Sequence, residues 1–212
     1  MYAQTVYEGN LPAVMRAFAI SLGVATIGVM LGVFVPPSLF LPLAIIEIGM
    51  LIFAFFLRRK KAISYLFLYT FTFISGLTMF PIINYYMMSI GPQIVLMALG
   101  TTTIVFAGIA IYASTTKRDF TFLGGLLGAA LLALIVIAIF NLFWPMSSTA
   151  MLAYSFIGVL VFSGYVLFDF NRMKKYGVTA QEVPTMALNL YLDFINLFIN
   201  ILRIMGILKD RN

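Results

Sequence analysis

The stretch "MALNLYLDFINLFINILRI", residues 186–204, is apolar enough to lie in a lipid bilayer, yet it carries Asn189, Asp193, Asn196, Asn200 and Arg203. Their successive spacings are four, three, four and three residues. At about 100° per residue, all five fall within an arc of roughly 80°. A helix over this stretch has one polar stripe. Hydrocarbon offers such a stripe no hydrogen-bond partner, so it must face protein or a water-filled space.

The rest of the chain sets that helix among others of its kind. Of 212 residues, 63% are hydrophobic and 9% charged, and the mean hydropathy is +1.07. Soluble domains carry about 25% charged residues, so the composition is that of an integral membrane protein. The net charge of +6 does not point to nucleic acid. Its bases cluster as Arg58-Arg59-Lys60-Lys61, Lys117-Arg118 and Arg172 with Lys174-Lys175, each between long apolar runs. That is how loop charge distributes under the positive-inside rule. Cysteine and histidine are both absent, which removes disulfides, thiolate chemistry and imidazole ligands. A metal site would have to be built from oxygen, favouring hard cations such as Ca²⁺.

Charge-free runs locate the spans. Residues 17–46 form one run, interrupted by Pro36-Pro37, and a further apolar stretch ends at Arg58. The uncharged run 62–116 holds two spans, with a break expected in "NYYMMSIGPQ", residues 84–93; the run 120–168 breaks at "NLFWPMSS", residues 141–148. The polar-striped stretch is the last, entered through Pro184 near its first turn. The expected fold is all-α, one transmembrane domain over residues 1–212, with seven helices near 12–35, 37–57, 62–87, 92–115, 119–143, 147–170 and 184–207. The alternation of a β-barrel is missing. The opening "MYAQTVYEGN" has no basic region, so the first span is expected to be retained rather than cleaved as a signal. All three basic loops are even-numbered connections. This predicts a cytoplasmic amino terminus and an outside carboxyl terminus. Lys209 and Arg211 then lie on the unfavoured side, an objection that a re-entrant last segment would remove. Gly28/Gly32 and Gly124/Gly128 allow close helix packing and need no functional role.

Few ionisable residues lie within the spans, and a buried charge costs several kcal/mol unless paired. Glu47 and Arg58 are 11 residues apart on the second segment, and Asp193 and Arg203 are 10 apart on the seventh. Laid antiparallel, the two segments bring Arg58 level with Asp193 and Glu47 level with Arg203, signs matched at both levels. Glu47–Arg203 suits a structural brace better than a substrate site. Asp169, in "GYVLFDFNRM" (residues 164–173), lies at the cytoplasmic end of the sixth segment, where it is either an interfacial residue or a partner for Asp193. Two adjacent carboxylates would share a proton rather than both ionise. They would also offer oxygen ligands to a divalent cation, for which Arg58 would compete. The asparagines are expected to hydrogen-bond between helices, and Arg16 to snorkel to the interface.

"GYVLFDFNRM" followed by "ALNLYLDFINLFINILRIMG", residues 187–206, closely resembles the last two helices of the Bax-inhibitor (transmembrane Bax inhibitor motif) family. "GLTMFPI" (76–82), Gly91-Pro92 and "ALGTTTIVF" (98–106) agree more loosely, with Gly100-Thr101-Thr102-Thr103 where many members have Ala-Thr-Thr-Ala. The resemblance covers the third to seventh helices. It implies a seven-helix bundle with the last helix at the centre of six, and a paired-aspartate pH sensor formed by Asp169 and Asp193. It also implies a latch on that pair at Arg58 and a charge pair of Glu47 with Arg203. The short chain is similar to bacterial members that act as pH-sensitive calcium leaks.

The leading expectation is accordingly a passive, proton-regulated Ca²⁺ leak of the cell membrane. It would act as a monomer in the bilayer, with Ca²⁺ and protons as ligands and no cofactor or nucleic-acid partner. Proton-coupled Ca²⁺ exchange could use the same residues. An intramembrane aspartyl protease fits poorly, since Asp193 follows Leu190-Tyr191-Leu192 rather than Gly-x-Gly and the expected Pro-Ala-Leu element is missing. No enzymatic activity is expected.

Overall fold

The computed structural model describes residues 10–57 and 63–210. Every span in it is helical: α1 Leu11–Leu31, continued by a 3₁₀ turn Gly32–Phe34, α2 Pro37–Leu57, α3 Tyr65–Ser89, α4 Pro92–Thr115, α5 Leu123–Phe143, α6 Ser148–Tyr176 and α7 Val183–Asp210. All seven are long and apolar enough to cross a membrane. Proline opens α1, α2, α4 and α7 within their first two residues, where its missing N–H would have had no intrahelical acceptor anyway. The breaks fall where proline and glycine place them. Gly91 takes a φ of 106°, a conformation that disfavours any side chain, and so separates α3 from α4.

Three boundaries that differ from the sequence reading have a local cause. The third helix begins at Tyr65, after Ser64 accepts a hydrogen bond from the Phe67 N–H. The fifth begins at Leu123 because Asp119 folds the chain back on itself, accepting from the Thr121 N–H at 2.9 Å and its hydroxyl at 2.6 Å. The sixth runs to Tyr176 and stops at Gly177, φ 73°, the left-handed residue that ends many helices. Asp169 therefore lies inside α6, not at its end.

The described chain divides into two compact units. The first takes in the described residues up to Tyr85 together with Tyr176–Tyr191. Here α1 and α3 cross at glycines. A Cβ on Gly28 would come within 3.0 Å of the Gly76 Cα and closer still to the Phe73 carbonyl, and one on Gly76 would overlap the Ala25 carbonyl. Asn10 Nδ2 donates to the Val178 carbonyl at 2.8 Å, tying the start of α1 to the loop before α7. Phe71 packs edge-on to the fully buried Tyr191.

The second unit comprises Tyr86–Lys175 and the chain from Leu192. Glycines again receive large neighbours: Gly124 faces the Phe168 ring, Gly164 a Leu127 methyl, and Gly206 the Tyr86 ring, whereas Gly128 faces open space. Of the two small-residue pairs in the sequence, the first packs helices through both members and the second through Gly124 alone. Outward positions such as Leu132, Ile139 and Phe140 on α5 are exposed, as lipid-facing residues must be. The most buried span is α7: 56% of its apolar window is inside the fold, against 6% for α2 and 11% for α5.

Candidate functional site

The α7 stripe turns inward. Asp193 and Asn200 are buried, Asn189, Asn196 and Arg203 are half-buried, and none of the five is exposed. On α6, Asp169 is buried too, at 4% exposure beside 5% for Asp193. Asp169 thus lies inside the protein rather than on its surface.

In the second unit the residues that follow these two acids pack on one ring. Phe106 of α4 meets the ring of Phe170 edge-on at a centroid distance of 5.9 Å and that of Phe194 at 5.5 Å. These are the residues directly after the two acids, so the helices carrying Asp169 and Asp193 converge on a single ring. The register agrees. Gly158 of α6 lies against the Asn200 amide of α7. Counted back along antiparallel helices from that contact, Asp193 comes within one turn of Asp169, roughly 6 Å along the axis. Side chains lean toward the N-terminus of their own helix, so two acids on antiparallel helices lean toward each other here and close part of that offset. Phe106 was not expected from the sequence, where it is one of 21 phenylalanines.

Two of the three asparagines do not behave as expected. Asn196 Nδ2 donates to the Leu192 carbonyl and Asn200 Nδ2 to the Asn196 carbonyl, both at 2.7 Å and both within α7. Their amide nitrogens satisfy their own helix instead of bridging to another, because the carbonyl four residues back is always in reach of a short amide. Arg203 lies near Tyr154 of α6, whose hydroxyl donates to the Leu134 carbonyl at 3.3 Å.

A second polar cluster lies in the first unit. Glu47 Oε2 accepts a hydrogen bond from the Thr78 hydroxyl of α3 at 2.6 Å, and the Tyr191 hydroxyl lies beside Ser75 and within the field of Glu47. Thr78 and Ser75 were not singled out in the sequence, since a membrane threonine ordinarily bonds its own backbone. Arg58, the expected latch, lies outside the described residues. Arg16 is exposed, as a snorkelling arginine should be.

Beyond the acids, the C-terminal end of α6 is fastened to the α4–α5 loop. Asn171 Nδ2 donates to the Arg118 carbonyl at 3.0 Å while its Oδ1 accepts from the Phe120 N–H at 2.9 Å. Lys174 reaches the Thr116 carbonyl at 2.7 Å, and Lys175 pairs with Asp119 at 2.5 Å. The hydrogen bonds from Lys175 and Thr121 hold the Asp119 carboxyl well below the usual carboxylate range.

The family model for inhibitor of apoptosis-promoting Bax1 matches residues 9–210, and so takes in every span and both acids. The chain belongs to this Bax-inhibitor family. An uncharacterised protein of Campylobacter jejuni is 35% identical over 205 residues, covering 92% of this chain and 87% of that one. Bax inhibitor 1 of Schizosaccharomyces pombe is 37% identical over 150 residues, 70% of this chain and 54% of the yeast protein. The Escherichia coli inner membrane protein YbhL is 37% identical over 111 residues, 48% of this chain and 47% of that protein. As a Bax-inhibitor family member with seven spans, the chain is a multi-pass membrane protein.

Proposed function

We propose that this Bax-inhibitor family protein is a passive Ca²⁺ leak whose conductance is set by a proton shared between Asp169 and Asp193. The observation that supports the reading is that Phe170 and Phe194, the residues directly after two buried acids, both pack on Phe106. Two carboxylates held close in low dielectric do not both ionise readily, so a proton and a divalent cation compete for one oxygen site. Without histidine or cysteine, the ligands are hard oxygens suited to Ca²⁺. Arg58, the expected latch, would compete with the cation for those oxygens.

The test is Ca²⁺ flux from vesicles carrying the purified protein, across about pH 5 to 8, a range reached by carboxylates that share a proton. Asp169→Asn and Asp193→Asn preserve shape and remove the shared proton, so each should flatten the pH profile. An unchanged profile in both variants would sink the mechanism. Imposing a proton gradient separates leak from exchange: a leak follows the calcium gradient alone.

A further inference from the structure

Hydroxyls on these helices ordinarily satisfy themselves. Ser21, Thr26, Thr102, Thr103 and Thr115 each donate to the carbonyl four residues back, at 2.7–2.9 Å. Ser155 of α6 does not. It is 0% exposed, and its Oγ has no hydrogen-bond partner in the protein. One turn along α6 is Gly158, and against Gly158 rests Asn200, 5% exposed, whose Oδ1 also lacks a protein partner. A bare polar atom at membrane depth costs several kcal/mol. Two beside one glycine are not packing accidents.

The orientation of the amides gives the sign. Asn196 and Asn200 spend their Nδ2 groups on the carbonyls of Leu192 and Asn196. Reversing either amide would set oxygen against oxygen, so both are fixed with nitrogen toward the helix carbonyl and oxygen turned away from it. What the seam presents is acceptors. Gly158 is what admits them: a Cβ there would fall 2.5–2.7 Å from all three polar-end atoms of the Asn200 side chain. Asn200 lies seven residues from Asp193 on the same stripe, roughly 10 Å toward the far end of α7.

We propose that Asn200 Oδ1 and Ser155 Oγ, with Asn196 Oδ1 one turn nearer Asp193, form a neutral-oxygen station for a divalent cation of the Ca²⁺ class. This rests on the leak reading, and it gives the ion a second stop beyond the aspartates. Arg203, one turn further on and accompanied by Tyr154, is the charged group nearest the station from α7. Its repulsion keeps residence short, which conduction through successive sites requires.

Two measurements on the full-length protein test it. In vesicle flux, Ser155→Ala should lower the Ca²⁺ rate at the conducting pH several-fold while leaving the pH midpoint unmoved. Asn200→Asp, of equal size, adds a charge and should lower the half-saturating Ca²⁺ concentration about tenfold. Independently of flux, Tb³⁺ in place of Ca²⁺ is excited by nearby tyrosines such as Tyr154. A Ca²⁺-displaceable Tb³⁺ emission should survive in the Asp169→Asn/Asp193→Asn double variant and disappear when Ser155→Ala is added. Wild-type flux kinetics in Ser155→Ala, or no displaceable emission in the double aspartate variant, would overturn the station. A protein that binds Tb³⁺ there yet shows no Ca²⁺ leak would instead overturn the leak and leave the station standing.

Discussion

Thr78 shows how one hydroxyl can hold an acid inside a membrane helix bundle. Its oxygen lies 2.6 Å from Glu47 Oε2 and 2.9 Å from the Ser75 carbonyl, but it has one proton to give. A carboxylate oxygen is a stronger acceptor than a peptide carbonyl, so the proton goes to Glu47 and ties α3 to α2. Hydrogen bonds to charged groups contribute about 1.5–3 kcal/mol, so Thr78→Val, which keeps the shape and removes the donor, should destabilise by about that much in a denaturation assay. Adding Glu47→Gln should recover part of the loss, because the stranded charge is gone. A Thr78→Val protein as stable as wild type would show that Glu47 is held by something else.

At the scale of elements, what holds α6 to the α4–α5 loop is distinct from what would sense pH. The depressed Asp119 value means that its tie to Lys175 contributes stability above the ordinary carboxylate value of about 4 and loses it as pH falls below that. From pH 5 to 8 the tie is constant, so Asp119→Asn should leave the shape of a flux–pH curve in that range unchanged. Asn171→Ala should be costlier. It strands the Phe120 N–H and the Arg118 carbonyl together, for about 1–3 kcal/mol, measurable as a lower Tm. A pH midpoint displaced by Asp119→Asn would place the sensor in this loop. Glycines divide in the same way: Gly76→Ala drives a Cβ into the Ala25 backbone and should cost about 1–3 kcal/mol, whereas Gly128→Ala meets open space and should be neutral. The sequence made the breaks at Pro36-Pro37, Gly91-Pro92 and Pro145 legible, because proline and glycine act locally. It misled at α6, where Asp169 was taken for the membrane boundary and hence for the helix end. The helix outruns the hydrocarbon, and its stop was written in Lys174-Lys175 and Gly177, a basic last turn before glycine. The polar stripe was legible from spacing alone. Phe106, Thr78 and Ser155 were not, since their importance lies in which neighbour the fold assigns them.

For the whole molecule, the open quantity is orientation, and the second unit bears on it directly. Lys117-Arg118 lie in the α4–α5 loop and Arg172 with Lys174-Lys175 in the last turns of α6, yet Asn171, Lys174 and Lys175 fasten the two to each other. Two of the three basic clusters therefore lie at one end of this unit, as the positive-inside rule requires of cytoplasmic loops. From that end the loop 177–182 leads into α7. A re-entrant segment would need a turn part-way along, but α7 is unbroken from Val183 to Asp210. Its 28 residues rise roughly 42 Å, more than the hydrocarbon thickness of about 30 Å. A helix that enters from the basic end and does not turn back delivers Lys209 to the opposite side. The cost of placing one or two bases there is small beside that of breaking a helix in lipid, where each freed backbone group needs a partner. Accessibility tags in loops 116–122 and 177–182 should accordingly report the cytoplasm, and a tag after Asn212 the outside. A carboxyl-terminal tag reporting the cytoplasm would require α7 to turn back within the membrane, and with it the path from Asp193 past Asn200 would have to be redrawn.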